Sequence, residues 1–157
     1  GERDRGFVNT MQVLEGGRIA MAAMAVGLAQ GALDEALKYM KQRSAFGKTL
    51  AEFNGLQGMI AEIGTEVEAA RLLTLRAAAL KDRGRPARTA ASMAKVFASE
   101  VAMRAATKAL QIHGGAGYIT EFPIERIFRD AKLTEIGEGT SEIQRMVIAR
   151  DILGMRA

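Results

Sequence analysis

Residues 18–42, RIAMAAMAVGLAQGALDEALKYMKQ, decide the fold class that the sequence predicts. Apolar side chains recur there at the spacings that line one face of an α-helix. They are Ile19, Ala22, Ala23, Val26, Leu33, Leu37 and Met40. A second set widens that face: Met21, Met24 and Leu28. We expect the first half to be buried on several sides, in a helix that runs from about Thr10 or Gln12 to Gln42.

Three further helices are predicted before residue 130. The second covers about 52–82 and presents apolar residues inward at helical spacings. These are Leu56, Ile60, Ile63, Val67, Ala70, Leu73, Ala77 and Leu80. A third covers about 87–112, and a short helix covers about 123–129. The third is expected to bury Met93, Val96, Phe97, Val101 and Leu110.

The last helix is predicted to start near Thr140 or Ser141 and to end near residues 153–154. Ser141 followed by Gln144 fits a capping box at that start. Residues 44–50 connect the first two helices through a turn at Gly47. Four long helices with short connections predict an all-α chain, an antiparallel four-helix bundle with one short additional helix in a single domain.

Composition limits the chemistry of these 157 residues. The chain has no cysteine and one histidine, which excludes disulfides and thiol nucleophiles, and no metal site is predicted. A net charge of +4 without clustered basic residues and aromatics argues against nucleic-acid binding. No apolar run is long enough for a membrane span. An intracellular location is compatible with this, cytoplasmic in a bacterium or the mitochondrial matrix in a eukaryote.

Two segments combine glycines with charged residues in ways that a plain bundle does not need. In 137–142, GEGTSE, Glu138 stands between two glycines just before a helix start. A carboxylate there can approach a ligand and act as a general base, or it can simply complement the helix dipole. In 15–18, EGGR, two glycines weaken a helix by roughly 1 kcal/mol each. That cost favours either a loop or a need for space against a ligand.

Two more segments could bind an anionic cofactor. In 111–115, QIHGG, exposed turn amides could hold a ligand, although the glycines can equally end a helix. In 43–48, RSAFGK, a basic residue and an aromatic flank a glycine turn, which suits a phosphate-bearing ligand or a helix C-terminus. Each segment alone leaves both readings open.

Together these segments resemble the acyl-CoA dehydrogenase family over essentially the whole chain. The most specific stretch is FRDAK at 128–132 followed by IGEGTSEIQR at 136–145. The motifs at 43–47 and 111–115 fall in the order and at the distances of that family. Members have an N-terminal helical domain, a middle β-domain and a C-terminal four-helix bundle. Only the third is similar to this chain, so we expect a fragment whose residues 1–7 are a loop inside a longer protein.

The resemblance implies FAD-dependent α,β-dehydrogenation of an acyl-CoA thioester to the trans-2-enoyl-CoA. Glu138 matches the glutamate that removes the α-proton while the β-hydrogen leaves as hydride to flavin N5. Five positions match segments that lie beside the acyl-CoA substrate: Glu15, Gly16, Gly17, Arg18 and Gly139. Some relatives carry their base on the first long helix, at the position that Gly17 occupies here.

The remaining motif residues match contacts to FAD. They are Arg43, Phe46, Asn54, Gln111, Ile112, His113, Gly114, Gly115, Thr140, Ser141 and Glu142. Arg43, Phe46 and residues 111–115 match contacts across a subunit interface, which implies a homodimer or homotetramer. The resemblance also implies an electron-transfer flavoprotein as the electron acceptor. Asn54 replaces a glutamine that is common in relatives. Gly137 replaces a common tyrosine, and this departure predicts a branched or bulkier acyl group.

Two alternatives stay open. An acyl-CoA oxidase would let its reduced flavin react with oxygen. A non-catalytic helical oligomerisation module would self-associate without turnover. We expect the isolated 157 residues to show little activity and weak FAD binding, because the domain that would cover the flavin is missing from them.

Overall fold

Five α-helices account for most of residues 2–155, the part of the chain that this computed structural model describes, apart from the side chain of Gln12. They are α1 (Gly6–Gln42), α2 (Asn54–Asp82), α3 (Arg88–His113), α4 (Ile124–Ile136) and α5 (Ser141–Ile152). The all-α prediction is confirmed. Within the same residues, every helix is too short or too polar to cross a lipid bilayer.

Helices α1, α2 and α3 alternate in direction, and α3 contacts all four other helices. Helix α3 runs antiparallel to α2, since Arg104 pairs with Glu66 while Lys108 pairs with Glu62. It runs parallel to α1, because the two C-terminal ends meet where His113 stacks on Tyr39. This arrangement is that of an up-down bundle, with the short helices α4 and α5 packed against α3.

The core between α1 and α3 consists mostly of alanine. Fully buried alanines of α1 are Ala22, Ala25, Ala29, Ala32 and Ala36. Those of α3 are Ala91, Ala94, Ala98, Ala102, Ala105, Ala106 and Ala109. Small side chains allow helices to approach closely, so α1 and α3 pack tightly along their lengths.

The predicted inward residues fit α2 better than α1 and α3. In α2, four of the eight are buried and the other four are half-buried, which confirms that prediction. In α1, eight of the ten predicted residues are buried or half-buried, and the prediction was wrong only at Ala23 and Met24, which are exposed. In α3, Val101 is buried as predicted, whereas the other four are only half-buried because alanines fill the core: Met93, Val96, Phe97 and Leu110.

Helix α1 also begins earlier than predicted. It starts at Gly6, inside the segment expected to be a loop, and continues through Gly16 and Gly17. Gly1 lies outside the described residues.

A small hairpin that was not predicted follows α1. Strands β1 (Ser44–Ala45) and β2 (Lys48–Thr49) pair in antiparallel fashion. At their tip, Phe46 and Gly47 have φ values of 53° and 81°. Such left-handed residues suit a two-residue hairpin turn.

A 3₁₀ turn, Leu50–Glu52, then delays the start of α2. The backbone amide of Thr49 donates to Glu52 Oε1 at 2.8 Å, and the Thr49 hydroxyl donates to the same oxygen at 2.9 Å. These two hydrogen bonds lower the pKa of the Glu52 carboxyl. The capping box therefore lies here.

The second capping box, predicted at Ser141 and Gln144, was wrong. Thr140 precedes α5 and its side chain caps no amide, while Ser141 Oγ is buried. Gln144 points its amide back to the loop before the helix. Helix α4 was also predicted too short, because its later turns stay packed through Ala131 and Thr134.

Candidate functional site

The loop between α4 and α5 contains Glu138 in a left-handed conformation. Glu138 has φ 56° and Gly139 has φ 90°. For a residue with a side chain, this conformation costs about 1–3 kcal/mol and persists only where the surroundings impose it. Gln144 Nε2 donates to the carbonyls of Glu138 and Gly139 at 3.0 and 2.9 Å. The amide of a buried side chain thus holds the turn.

A second buried side chain reaches the same loop from α3. Lys95 is completely buried, and its Nζ donates to the carbonyls of Glu135 at 3.0 Å and Gly139 at 2.8 Å. Burial lowers the pKa of Lys95, while the Glu135 and Glu142 carboxylates oppose that shift. Lys95 was not among the predicted site residues. One signal was available, since Lys95 lies at helical spacing between Ala91 and Ala98, on a face that is otherwise made of small residues.

The turn directs the Glu138 carboxylate against α1 at Gly17. A methyl group placed on Gly17 would overlap that carboxylate, lying 2.6 Å from Glu138 Cδ. Gly16 lies in the same way beside the ammonium of Lys81. Because α1 stays helical here, the two glycines meet a need for space and do not form a loop.

Arg18 adds a buried cation beside the carboxylate. It is 7% exposed, and its Nη1 donates to Ser92 Oγ at 3.4 Å. Its Nε has no hydrogen-bond partner within residues 2–155. Burial and the nearby Arg88 lower the pKa of Arg18, while Glu15 and Glu138 oppose that shift. Two arginines, Arg18 and Arg88, and two carboxylates, Glu15 and Glu138, therefore meet at this corner of the bundle.

A cleft of about 370 Å³ lies beside the loop, between α3, α4 and α5. Thr140, Ser141 and Glu142 line one wall, and Met103 and Ile136 add apolar surface. Hydrogen bonds from its own backbone amide and from the Thr140 hydroxyl lower the pKa of Glu142. A helix N-terminus, a hydroxyl and apolar side chains can together bind polar and aromatic parts of a cofactor.

The other predicted cofactor residues lie at the far end of α1. Arg43, Phe46, Asn54 and Gln111 are exposed, and Phe46 is 97% exposed at the hairpin tip. About 26 residues of helix separate Gly17 from this end, which corresponds to roughly 40 Å. One copy of the chain therefore does not bring the two groups together.

The turn after α3 belongs to this far end as well. Gly114 and Gly115 are exposed, and Gly114 has φ 59°. In contrast, Ile112 and His113 are buried. The His113 ring lies 4.3 Å from that of Tyr39, and its Nδ1 is 2.8 Å from the Ala109 carbonyl oxygen. The side chains of Ile112 and His113 therefore pack in the core. The exposed part of the turn is the backbone of Gly114 and Gly115.

Comparisons with known proteins agree on one family. Residues 4–153 match the model of the acyl-CoA dehydrogenase C-terminal domain. The probable acyl-CoA dehydrogenase YngJ of Bacillus subtilis is 52% identical over 98% of this chain and 40% of its own length. The caffeyl-CoA reductase-Etf complex subunit CarC of Acetobacterium woodii is 49% identical over the same shares.

Solved structures show the same fold. The butyryl-CoA dehydrogenase of Megasphaera elsdenii superimposes with a TM-score of 0.96 at 47% identity, over 98% of this chain and 40% of that chain. The FAD complex of PigA gives 0.92 at 29% identity, over 100% and 41%. The chain thus spans about 40% of the length of these relatives. It belongs to the acyl-CoA dehydrogenase family and corresponds to the C-terminal helical domain of that family.

Proposed function

We propose that this chain is the C-terminal part of a longer flavoenzyme that oxidises an acyl-CoA thioester to the trans-2-enoyl-CoA, with Glu138 as the base. The single observation that carries the proposal is the position of Glu138. A left-handed turn, held by buried Lys95 and Gln144, places its carboxylate against Gly17 and beside buried Arg18. A merely solvated acid would not require such support.

The chemistry assigned to the chain is proton abstraction. The Glu138 carboxylate would take the α-proton of the thioester, and the backbone amide of Glu138 can donate a hydrogen bond to the thioester oxygen as negative charge develops there. Bound FAD would accept the β-hydrogen as hydride at its N5 atom.

Two copies of the chain would complete each FAD site. Thr140 and Glu142 would bind FAD from one copy through the cleft beside α5. Arg43, Phe46, Gln111 and the turn amides would come from another copy, because they lie roughly 40 Å away along α1. The buried Ile112 and His113 could contribute only their backbone. This separation favours a homodimer, or a homotetramer built from dimers.

Two further parts of the proposal concern a FAD contact of Asn54 and the protein that accepts electrons from the flavin. Asn54 is exposed at the start of α2, next to the hairpin that ends with Thr49, and can donate an amide hydrogen bond to FAD. A relative in an Etf complex supports an electron-transfer flavoprotein as the partner that reoxidises the flavin.

Anaerobic mixing of the full-length protein with saturated acyl-CoAs tests the function. We expect bleaching of the flavin absorbance and formation of the enoyl-CoA, with the isolated 157 residues as an inactive control. Adding oxygen in place of an electron-transfer flavoprotein distinguishes a dehydrogenase from an oxidase, since only the oxidase releases hydrogen peroxide at the rate of turnover. A flavoprotein that no acyl-CoA reduces would contradict the proposal.

Exposed apolar side chains favour self-association as a second property of the isolated chain. Phe46 is 97% exposed, and Leu72 and Leu75 of α2 are each 58% exposed. Leu72 and Leu75 lie three residues apart on one helix face, and contiguous apolar surface of this kind can mark an interface. Sedimentation of the isolated chain would show whether it associates without flavin and without turnover.

Gly17→Ala should slow the reaction without unfolding the protein. Alanine favours α1 by about 1 kcal/mol, but its methyl group would displace the Glu138 carboxylate. A displacement of about 1 Å can reduce a rate roughly 100-fold, so we expect a large fall in kcat at unchanged or higher thermal stability. Gly27→Ala is a matched control, because a methyl group there meets nothing within 4 Å. Equal rates for the two variants would contradict the placement of Glu138.

Gly137 leads to a prediction about the acyl group. A Cβ at position 137 would lie 2.7 Å from Met21 Cε, so the flexible Met21 side chain occupies the space beside this glycine. Because methionine adapts its shape easily, we expect branched or bulkier acyl-CoAs to be accepted. The kcat/KM values for branched and straight-chain acyl-CoAs of equal carbon number measure this. A strict preference for straight chains would contradict it.

A further inference from the structure

Lys95 is an unusual residue for the interior of a helical bundle. Its side chain has no solvent exposure, and helix α3 carries buried alanines around it, among them Ala91, Ala94 and Ala98. An ammonium group without water is unfavourable unless hydrogen bonds replace its hydration. An apolar residue of similar length would fill the same space without that cost, so the charge must serve the groups that it contacts.

The groups that Lys95 contacts belong to the loop that carries Glu138. Its ammonium donates to the Glu135 carbonyl, in the last turn of α4, and to the Gly139 carbonyl, on the other side of Glu138. One side chain thus bridges both ends of the turn. Both acceptors are main-chain oxygens, so neither hydrogen bond is a salt bridge.

Gln144 approaches the same turn from α5. Its Nε2 donates to the carbonyls of Glu138 and Gly139 at 3.0 and 2.9 Å, and the side chain is completely buried. The Gly139 carbonyl therefore receives one hydrogen bond from α3 and one from α5. Between these anchors, Glu138 has φ 56°, a conformation that a residue with a side chain leaves readily when nothing imposes it.

We propose that Lys95 and Gln144 form a clamp whose hydrogen bonds to the carbonyls of Glu135, Glu138 and Gly139 hold Glu138 left-handed and aim its carboxylate at Gly17. The inference rests on the proposed function. Neither clamp residue touches the reacting atoms, so both are positioning residues. Without the clamp, the turn relaxes and the carboxylate leaves its position over Gly17.

Lys95→Met in the FAD-loaded, full-length protein tests the clamp. Methionine keeps the apolar length of the side chain and removes both hydrogen bonds. We expect flavin content and KM to stay within about twofold, while kcat falls up to about 100-fold. The primary isotope effect with α-deuterated acyl-CoA should rise, because proton abstraction becomes more strongly rate-limiting. Amides of residues 136–141 should exchange with deuterium faster.

Two further variants keep the test decisive. Lys108→Met is the matched control: it removes a lysine of α3 that pairs with Glu62 at the surface, and all readouts should stay unchanged. If Lys95→Met does not fold, Gln144→Met carries the test, since it removes the other half of the clamp and should produce the same pattern. A variant that folds and keeps kcat, isotope effect and loop exchange unchanged would overturn the clamp.

Failure of the clamp is distinguishable from failure of the proposed function. Deuterium exchange of residues 136–141 reports on the loop whether or not the protein oxidises acyl-CoA. Unchanged exchange in Lys95→Met overturns the clamp even in an active enzyme. Conversely, residues 136–141 could exchange faster in Lys95→Met although no acyl-CoA reduces the flavin of the wild-type protein. That result would support the clamp and contradict the proposed function.

Discussion

Glu138→Gln should reduce the rate of flavin reduction by acyl-CoA by about 100- to 10,000-fold, the usual contribution of a general base. The amide has almost the shape of the carboxylate, so the turn and its hydrogen bonds to Gln144 and Lys95 should persist, since these use main-chain carbonyls. Flavin binding should therefore be retained. Stopped-flow absorbance of the full-length variant under anaerobic conditions measures the loss.

Exchange of the substrate α-hydrogen with D2O gives a second readout for this variant. Exchange reports proton abstraction directly and should disappear together with flavin reduction. Glu121→Gln serves as control, because it neutralises an exposed carboxylate in the turn before α4 and should leave both rates unchanged. Flavin reduction at the wild-type rate in Glu138→Gln would show that another group is the base.

Ala29→Leu should destabilise the bundle by about 1–3 kcal/mol, a large part of the stability of a typical domain. Ala29 is completely buried in the alanine-lined face of α1, and three extra carbon atoms there would force the tightly packed helices apart. Urea denaturation of the 157-residue chain, followed by helical circular dichroism, measures the change in the free energy of unfolding.

Ala23→Leu provides the matched control for that substitution. It lies on the same helix and is exposed, so the added side chain has room and the free energy of unfolding should change by less than about 0.5 kcal/mol. Equal effects at the two positions would mean that the alanine core is more loosely packed than described above.

The sequence predicts helices more reliably than it predicts which side chains fill the core. In α2, the predicted apolar residues lie inward: four are buried and the other four are half-buried. In α3 the pattern fails, since this helix touches four others and small alanines are needed on most of its surface. Hydrophobic periodicity predicts that Phe97 is more deeply buried than Ala98. In the structure Ala98 is the buried residue, because only a small side chain fits between closely packed helices.

The candidate site is predictable in part for similar reasons. The glycines around Glu138 and at positions 16–17 indicate close approaches, and the structure brings Gly17 and Glu138 into contact. The hydrogen bonds of Lys95 to the loop could not be read from spacing, because they join residues 40 and 44 positions apart through main-chain carbonyls. The spacing of Ser141 and Gln144 fits a capping box, whereas the Gln144 amide bonds the carbonyls five and six residues earlier, in the loop before the helix.

The contact between Gly17 and Glu138 has an evolutionary consequence. Side chains at positions 17 and 138 would occupy the same space. An acidic residue can therefore stand at position 17 of the helix or at position 138 of the loop, but not at both. Moving it from one to the other by single mutations must pass through an intermediate that is either overcrowded or without an acid. Lineages of this fold are therefore expected to stay on whichever side of that fitness valley they began.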